Sequence, residues 1–197
     1  HLSIRRQRQM CIRDSSRGRP MENLCRAGCG VKETTYHIVQ ECGRTHGGRI
    51  MRHDKVCDVV AKHLSLKGWK VEKEPRLRTV YGLRKPDLIC TKGNSMTILD
   101  AQITASSRIY TAHTEKRDKY MDIPQIEELL KAKYGENHNV SFLPLTLSWK
   151  GVMHHKTMKG LREMGADKIV INSLVRRVLL GSFLNFRTFN NTTRRVG

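Results

Sequence analysis

Apolar positions in this chain change rhythm several times, and each change predicts an element. From Ile50 onward, His53, Cys57, Val60, Ala61 and Leu64 recur at steps of three and four, the repeat of one helix face. The pattern predicts an amphipathic helix of about five turns, closed at "KGW" where Gly68 can cap it. "WKVEKEP" alternates briefly and predicts a strand. "TVYGLRKPDLIC" and "SMTILDAQIT" predict two more. "PQIEELLKAKYGE" predicts a helix with Pro124 in its first turn and Gly135 at its end. "VSFLPLTLSW" predicts a strand at a sheet edge, or bulged, because Pro144 cannot donate to a ladder. "KIVINSLVRRVLLGSFLNF" predicts a second long helix. Three strands, a helix, a strand and a helix imply an α/β domain with a mixed sheet.

The turn between the second and third strands fixes a register. Gly93-Asn94 suits a two-residue hairpin loop. Pairing outwards from it sets Lys92 against Ser95, Cys90 against Thr97, Ile89 against Ile98, and Asp87 against Asp100. Directly opposed residues share a face, with Cβ atoms roughly 4.5–5.5 Å apart. Two carboxylates side by side repel each other, so the arrangement makes sense around a divalent cation. Hard oxygen ligands suit Mg²⁺ or Mn²⁺. The competing reading is a pair of solvated strand ends. Against it stand the doubly apolar strands between the acids, which read as central, and the basic residues Arg84, Lys85, Lys116, Arg117 and Lys119 around them.

Charge changes the picture next. Lys plus Arg number 37 and Asp plus Glu 18, a net charge of +19. Such an excess favours a polyanionic partner, nucleic acid first and an anionic membrane second. No apolar run reaches the roughly 18 residues of a bilayer span, and the basic start "HLSIRRQRQ" has no apolar segment of a secretory signal behind it. The chain does not open on Met, so the expectation is a piece of a longer protein. Residues 1–20 are basic and aperiodic. "QMCIRDS" within them reads like a translated sequencing adapter, which sets residues 1–15 and Cys11 aside from the fold.

With no secretory signal, clustered cysteines point to metal rather than disulfides. Cys25, Cys29, His37 and Cys42 follow a C-x3-C-x7-H-x4-C spacing, which matches a tetrahedral zinc site. His46 is a spare ligand or a residue at the start of the helix. Arg26, Lys32, Arg44, Arg49 and Arg52 surround the cluster and could contact phosphate. Cys57 and Cys90 read as buried, inert thiols. His53 reads equally as a core histidine or a residue beside the acid pair. The resulting division is a basic segment 1–20, a CCHC zinc knuckle 21–46, an α/β domain 47–190 and a polar tail 191–197.

"RKPD" followed thirteen positions later by Asp100 resembles the catalytic core of PD-(D/E)xK restriction-like nucleases. Together with "CRAGC", "ETTYHIVQEC", "RIMRHD", "EKRDKY", "LSWKGV" and "LLGSF", it resembles the endonuclease region of site-specific non-LTR retrotransposons of the R-two type, over roughly residues 22–190. The resemblance implies a restriction-endonuclease-like mixed sheet flanked by helices, with a small zinc knuckle before it. It implies Mg²⁺ (or Mn²⁺) on Asp87 and Asp100, and Zn²⁺ in the knuckle. It also implies nicking of double-stranded target DNA in the nucleus, to prime reverse transcription of element RNA by an upstream polymerase domain. The usual nuclease lysine position, two residues after the second acid, holds Gln102. The R-two type supplies its lysine from a following helical segment, which here offers Lys116 first, then Lys119, with Tyr120 as a helper. Arg49, Arg52, His53, Arg84 and Lys85 are the candidate nucleic-acid contacts. The alternative is a nuclease fold that binds nucleic acid and metal without cutting.

Overall fold

The computed structural model describes residues 24–121 and 123–193. The adapter-like stretch, Cys11 and the rest of the 1–20 segment lie outside the described residues. Helix α1 (His46–Leu66) leads into strand β1 (Lys70–Lys73), followed by β2 (Leu77–Thr79), β3 (Gly82–Arg84), β4 (Leu88–Lys92) and β5 (Ser95–Thr104). Helices α2 (Ile109–Met121) and α3 (Pro124–Tyr134) cross over to β6 (Asn139–Ser148). Helices α4 (His155–Glu163) and α5 (Lys168–Thr192) complete the domain.

The main sheet has the order β1-β4-β5-β6. Its β1–β4 and β4–β5 pairs are antiparallel and β5–β6 is parallel, the mixed sheet expected from the order of elements. The β4–β5 register is the one read from the turn, with Leu88 opposite Leu99, Ile89 opposite Ile98 and Cys90 opposite Thr97. Gly93 has φ 54, the left-handed first turn position that a hairpin of this length requires. β6 is an edge strand, which is where Pro144 is tolerated. Pro124 opens α3 and Gly135, at φ 118, closes it.

Both faces of β4 and β5 are covered, hence their nearly continuous apolar sequence. Leu88, Cys90 and Leu99 join Val56, Val60 and Leu64 of α1 and Leu174 and Val178 of α5. Ile89, Met96 and Ile98 join Tyr120, Ile126 and Leu130 on the opposite side. Helices α1 and α5 cross closely because of Gly181, where an added Cβ would lie 2.5 Å from Arg52 Cγ. By length and composition α5 is the helix, among the described residues, that would suffice to cross a bilayer. It is interrupted by exposed Arg176 and Arg177, and its buried face packs on α1.

Four expectations need correction. "TVYGLRKPDLIC" is not one strand: β2 and β3 form a separate hairpin before Pro86 starts the approach to β4. Ile50 faces solvent at 49% exposure and Arg52 takes the buried position instead, at 3%. Helix α4 is amphipathic, burying Thr157 and Leu161, but with so few apolar residues in nine positions it is missing from the predicted elements. The last helix does not end at Phe186: α5 runs to Thr192, and Thr193 is buried, its hydroxyl donating to Phe189 O at 2.6 Å.

Candidate functional site

The cysteine–histidine module is built on tight backbone turns. Gly28 and Gly30 adopt φ 79 and 70, conformations open to glycine, and they fold Cys29 back toward Cys25. A helical turn, His37–Glu41, then carries His37 and delivers Cys42. Cys25 Sγ lies 3.8 Å from Cys42 Sγ, and Cys29 Sγ lies 3.6 Å from it. Zinc–thiolate bonds of about 2.3 Å in a tetrahedron separate the sulfurs by about 3.8 Å. One ligand atom from each of the four residues lies within 4.8 Å of the others. Neither ring nitrogen of buried His37 has a hydrogen bond, and Nδ1 has only Glu41 Oε2 at 3.6 Å beside it. Neither would remain without one in a finished core, so the donor set fits a metal and the cluster can hold zinc. A hydrogen bond from the Gly43 backbone lowers the Cys29 thiol to about 7, while burial pushes Cys42 up to about 11. His46 stays outside the cluster, exposed at the start of α1 beside Arg49.

The module is fastened to the domain. Arg26 stacks over Phe189 of α5, 5.1 Å from the ring centre, and donates to Asn190 at 2.7 Å. Arg52 donates to Ser182 Oγ at 2.7 Å and to Gln40 Oε1, and Gln40 donates in turn to Ile103 O of β5. Arg52 is therefore an interior strut between module and domain, not a surface contact for nucleic acid. Burial lowers its pKa to about 10. A basic residue inside a helix looks like a surface residue by type alone, which is why the sequence misplaces it.

The acid pair sits at the end of the β4–β5 ladder. Asp87 precedes β4, and its Oδ2 accepts from the Ala101 backbone at 2.6 Å, one residue past Asp100. Asp100 is 4% exposed. Lys116 reaches it from α2, with Nζ 3.0 Å from Oδ1. Asp100 Oδ2 and the Tyr120 hydroxyl are both buried and lack hydrogen-bond partners. Burial raises the Asp100 pKa, opposed by the Lys116 ammonium and reinforced by Asp87. Burial also raises that of Tyr120, helped by the negative charge of Asp100. For Asp87, burial is outweighed by the hydrogen bond and positive charge of His53, by neighbouring Asp100 and by the Ala101 N–H, which bring it down to about 2. His53 Nε2 stands 3.2 Å from Asp87 Oδ2, and that bond raises the imidazole to about 9 against the effect of burial.

The structure thus gathers Asp87, Asp100, Lys116, Tyr120 and His53, and separates Lys119 from them. Lys119 is exposed, with Nζ 5.0 Å from the Tyr120 ring centre. Gln102 explains how α2 is placed: its Nε2 donates to Ala112 O at 2.7 Å and Thr146 Oγ1 at 2.9 Å. It lies two residues after Asp100, on the same face of β5, and there it ties α2 to the sheet. Arg84 is half-buried and donates to Tyr81 O, while exposed Lys85 pairs with Glu74 at 2.5 Å. Arg49 is turned toward the module, donating to Cys42 O at 2.7 Å. Two further arginines, Arg76 and Arg78, line an open cavity of about 380 Å³ on the β2–β3 hairpin. "RLR" falls between the predicted strands "WKVEKEP" and "TVYGLRKPDLIC", so neither arginine is singled out by the sequence.

Fold and site together define an α/β domain with a mixed sheet, an N-terminal Cys3His cluster and a buried acid pair met by a lysine. No protein-family model matches the chain. It is 45% identical over 184 residues, 92% of its length, to the Retrovirus-related Pol polyprotein from type-1 retrotransposable element R2 of Nasonia vitripennis. It is 37% identical over 180 residues, 91% of its length, to the protein of the same description in Bradysia coprophila. To the Retrovirus-related Pol polyprotein from type-2 retrotransposable element R2DM of Drosophila melanogaster it is 35% identical over 186 residues, again 91% of its length. The matched segments are 18%, 21% and 18% of these relatives, so the chain spans about a fifth of their length. Over that segment, the chain belongs to the R2 retrotransposon Pol polyproteins.

Proposed function

We propose that this segment is a metal-dependent DNA endonuclease of the restriction-like, PD-(D/E)xK kind. It nicks double-stranded target DNA in the nucleus, and the 3′ hydroxyl released primes reverse transcription of element RNA by a polymerase domain elsewhere in the full protein. The observation that carries this reading is Asp100, buried beside Asp87 with Lys116 at 3.0 Å and one oxygen left without a partner. Like-charged buried carboxylates are costly unless a cation joins them, so the donor set fits Mg²⁺ or Mn²⁺ held by Asp87 and Asp100. Such an ion, when bound, polarises the scissile phosphate and acidifies a coordinated water. Lys116 orients the attacking water or balances the charge that develops on the phosphate. Tyr120 lies close enough to feel the charge of Asp100, and its phenol lines the site beside that carboxylate. Arg84 and Lys85, with Arg76 and Arg78 of the hairpin, offer phosphate contacts that position the duplex.

Gln102 at the usual lysine position favours a second reading, a module that binds nucleic acid without cutting. Lys116 reaching Asp100 from α2 supports the active reading, because the missing ammonium is supplied by another element.

The test is nicking of supercoiled plasmid in Mg²⁺ by wild type and by Asp100→Ala. Wild type should nick, and the variant should lose at least about a thousandfold in rate, ~4 kcal/mol of transition-state stabilisation, while keeping its DNA affinity. A variant that nicks as fast as wild type would overturn the assignment. Wild type that binds DNA but nicks with neither Mg²⁺ nor Mn²⁺ would favour the binding module.

A further inference from the structure

Cys57 is a buried thiol that the proposed hydrolysis leaves unused. It lies one helical turn after His53 on α1, an i,i+4 pair that shares a face. Asp87 meets that face from the end of β4. One ligand atom from each of His53, Cys57 and Asp87 lies within 4.8 Å of the others. The imidazole is also oriented for coordination. Its Nε2 points at Asp87 Oδ2, 3.2 Å away, and its Nδ1 lies 3.2 Å from Asp54 Oδ1. A carboxylate on the far ring nitrogen fixes the tautomer and raises the basicity of the near one, the usual support of a metal-bound histidine.

We propose that His53, Cys57 and Asp87 form a second metal site, one that takes a thiophilic divalent ion such as Zn²⁺ or Cd²⁺ and blocks the hard-ion position by sharing Asp87 with it. Imidazole, thiolate and carboxylate form a borderline-to-soft donor set, unlike the two carboxylates that suit Mg²⁺. Three protein ligands leave the fourth tetrahedral position to water. Binding sends two protons to solvent, that of the Cys57 thiol and the one His53 Nε2 shares with Asp87, as coordination of thiolate and neutral imidazole requires. An ion seated there turns Asp87 away from Asp100 and places two positive charges beside the hard site, so the two ions exclude each other. The site differs from the Cys3His cluster in having one sulfur and an open position.

Metal content tests the site without reference to activity. Wild type, Cys57→Ala and His53→Gln are each equilibrated against buffered free Zn²⁺, and bound zinc is counted per chain. Each variant should hold one zinc fewer than wild type while melting cooperatively. Equal zinc in wild type and in a folded variant would overturn the proposal, and His53→Gln keeps the test open should Cys57→Ala fail to fold. A second arm rests on the nuclease reading: Zn²⁺ should inhibit nicking, excess Mg²⁺ should restore it, and the inhibition constant should rise at least about tenfold in Cys57→Ala, a change of about 1.4 kcal/mol. Inhibition unchanged by Cys57→Ala would overturn the blocking role. Absent nicking by wild type would count against the nuclease reading and leave the zinc count to decide the site.

Discussion

The Cys3His cluster and the acid pair are both sets of potential cation donors, yet they are built in opposite ways. In the cluster, sulfurs stand 3.6 and 3.8 Å apart inside a loop of turns, with little regular structure to support them. Its ligands are soft and number four, which closes a tetrahedron and leaves no position for a substrate. In the acid pair, the proposed ligands are hard and few, and stand at the end of the paired central strands β4 and β5. That site stays open, and an ammonium and a phenol complete its lining. A loop that needs a metal to hold its shape is expected to lose stability without it. A sheet that holds its shape through apolar packing is expected to lose only chemistry.

The sharpest way to break this contrast is to remove one ligand from each site and measure stability and metal. Cys42→Ser should abolish zinc binding and destabilise the module by several kcal/mol, because a structural zinc site contributes folding energy outright. Its effect should reach α5 through Phe189 and Arg26, which hydrogen exchange across residues 24–46 and 185–193 would register. Asp100→Ala should leave the melting temperature unchanged or raise it, since it removes a buried carboxylate from beside another. Equal destabilisation by the two variants would end the distinction between a structural and a chemical site.

The second way is to sharpen the acid site itself. Lys116→Ala should lower nicking about a hundredfold, ~2.7 kcal/mol, and Lys119→Ala by no more than about threefold. Supercoiled-plasmid rates at saturating Mg²⁺ would decide it. The reverse order would mean that α2 turns on binding DNA, since only Lys116 meets Asp100 in this structure.

The two sites were also unequally legible. The acid pair could be read because a two-residue turn fixes a register and alternation fixes a face, so Asp87 and Asp100 follow from counting. The metal cluster could be read from ligand spacing. Which lysine serves the pair could not, because it depends on how α2 is rotated. That rotation is set by Gln102 holding Ala112 O and Thr146, a contact spanning 44 residues. Helix α2 itself, "IYTAHTEKRDKYM", buries Ile109, Ala112, His113 and Tyr120, too few apolar groups to show a period. Arg52 escaped for the opposite reason: its type says surface, and only the close crossing at Gly181 shows it to be interior.

The smallest expected effect concerns the helix that carries Lys116. His113 is 4% exposed, stacks on His154 at 3.8 Å between ring centres, and shares a hydrogen bond with Thr146 Oγ1 at 3.2 Å. Burial, aided by the positive charge of neighbouring histidines and lysine, lowers its pKa to about 4. The unfolded chain takes up this proton first, near its ordinary value of 6.5. The stability linked to His113 is therefore complete above about 6.5 and is lost as pH falls through about 4, on the order of 2 kcal/mol after allowing for water entry. Burial lowers His154 in the same direction and adds to the slope. Urea titrations at stepped pH should show this loss in wild type, while His113→Gln should remove most of it without changing zinc content. A variant that keeps the full slope would place the acid-labile region in the cysteine module, where protons compete with metal for thiolate, rather than in the helix beside the acid pair.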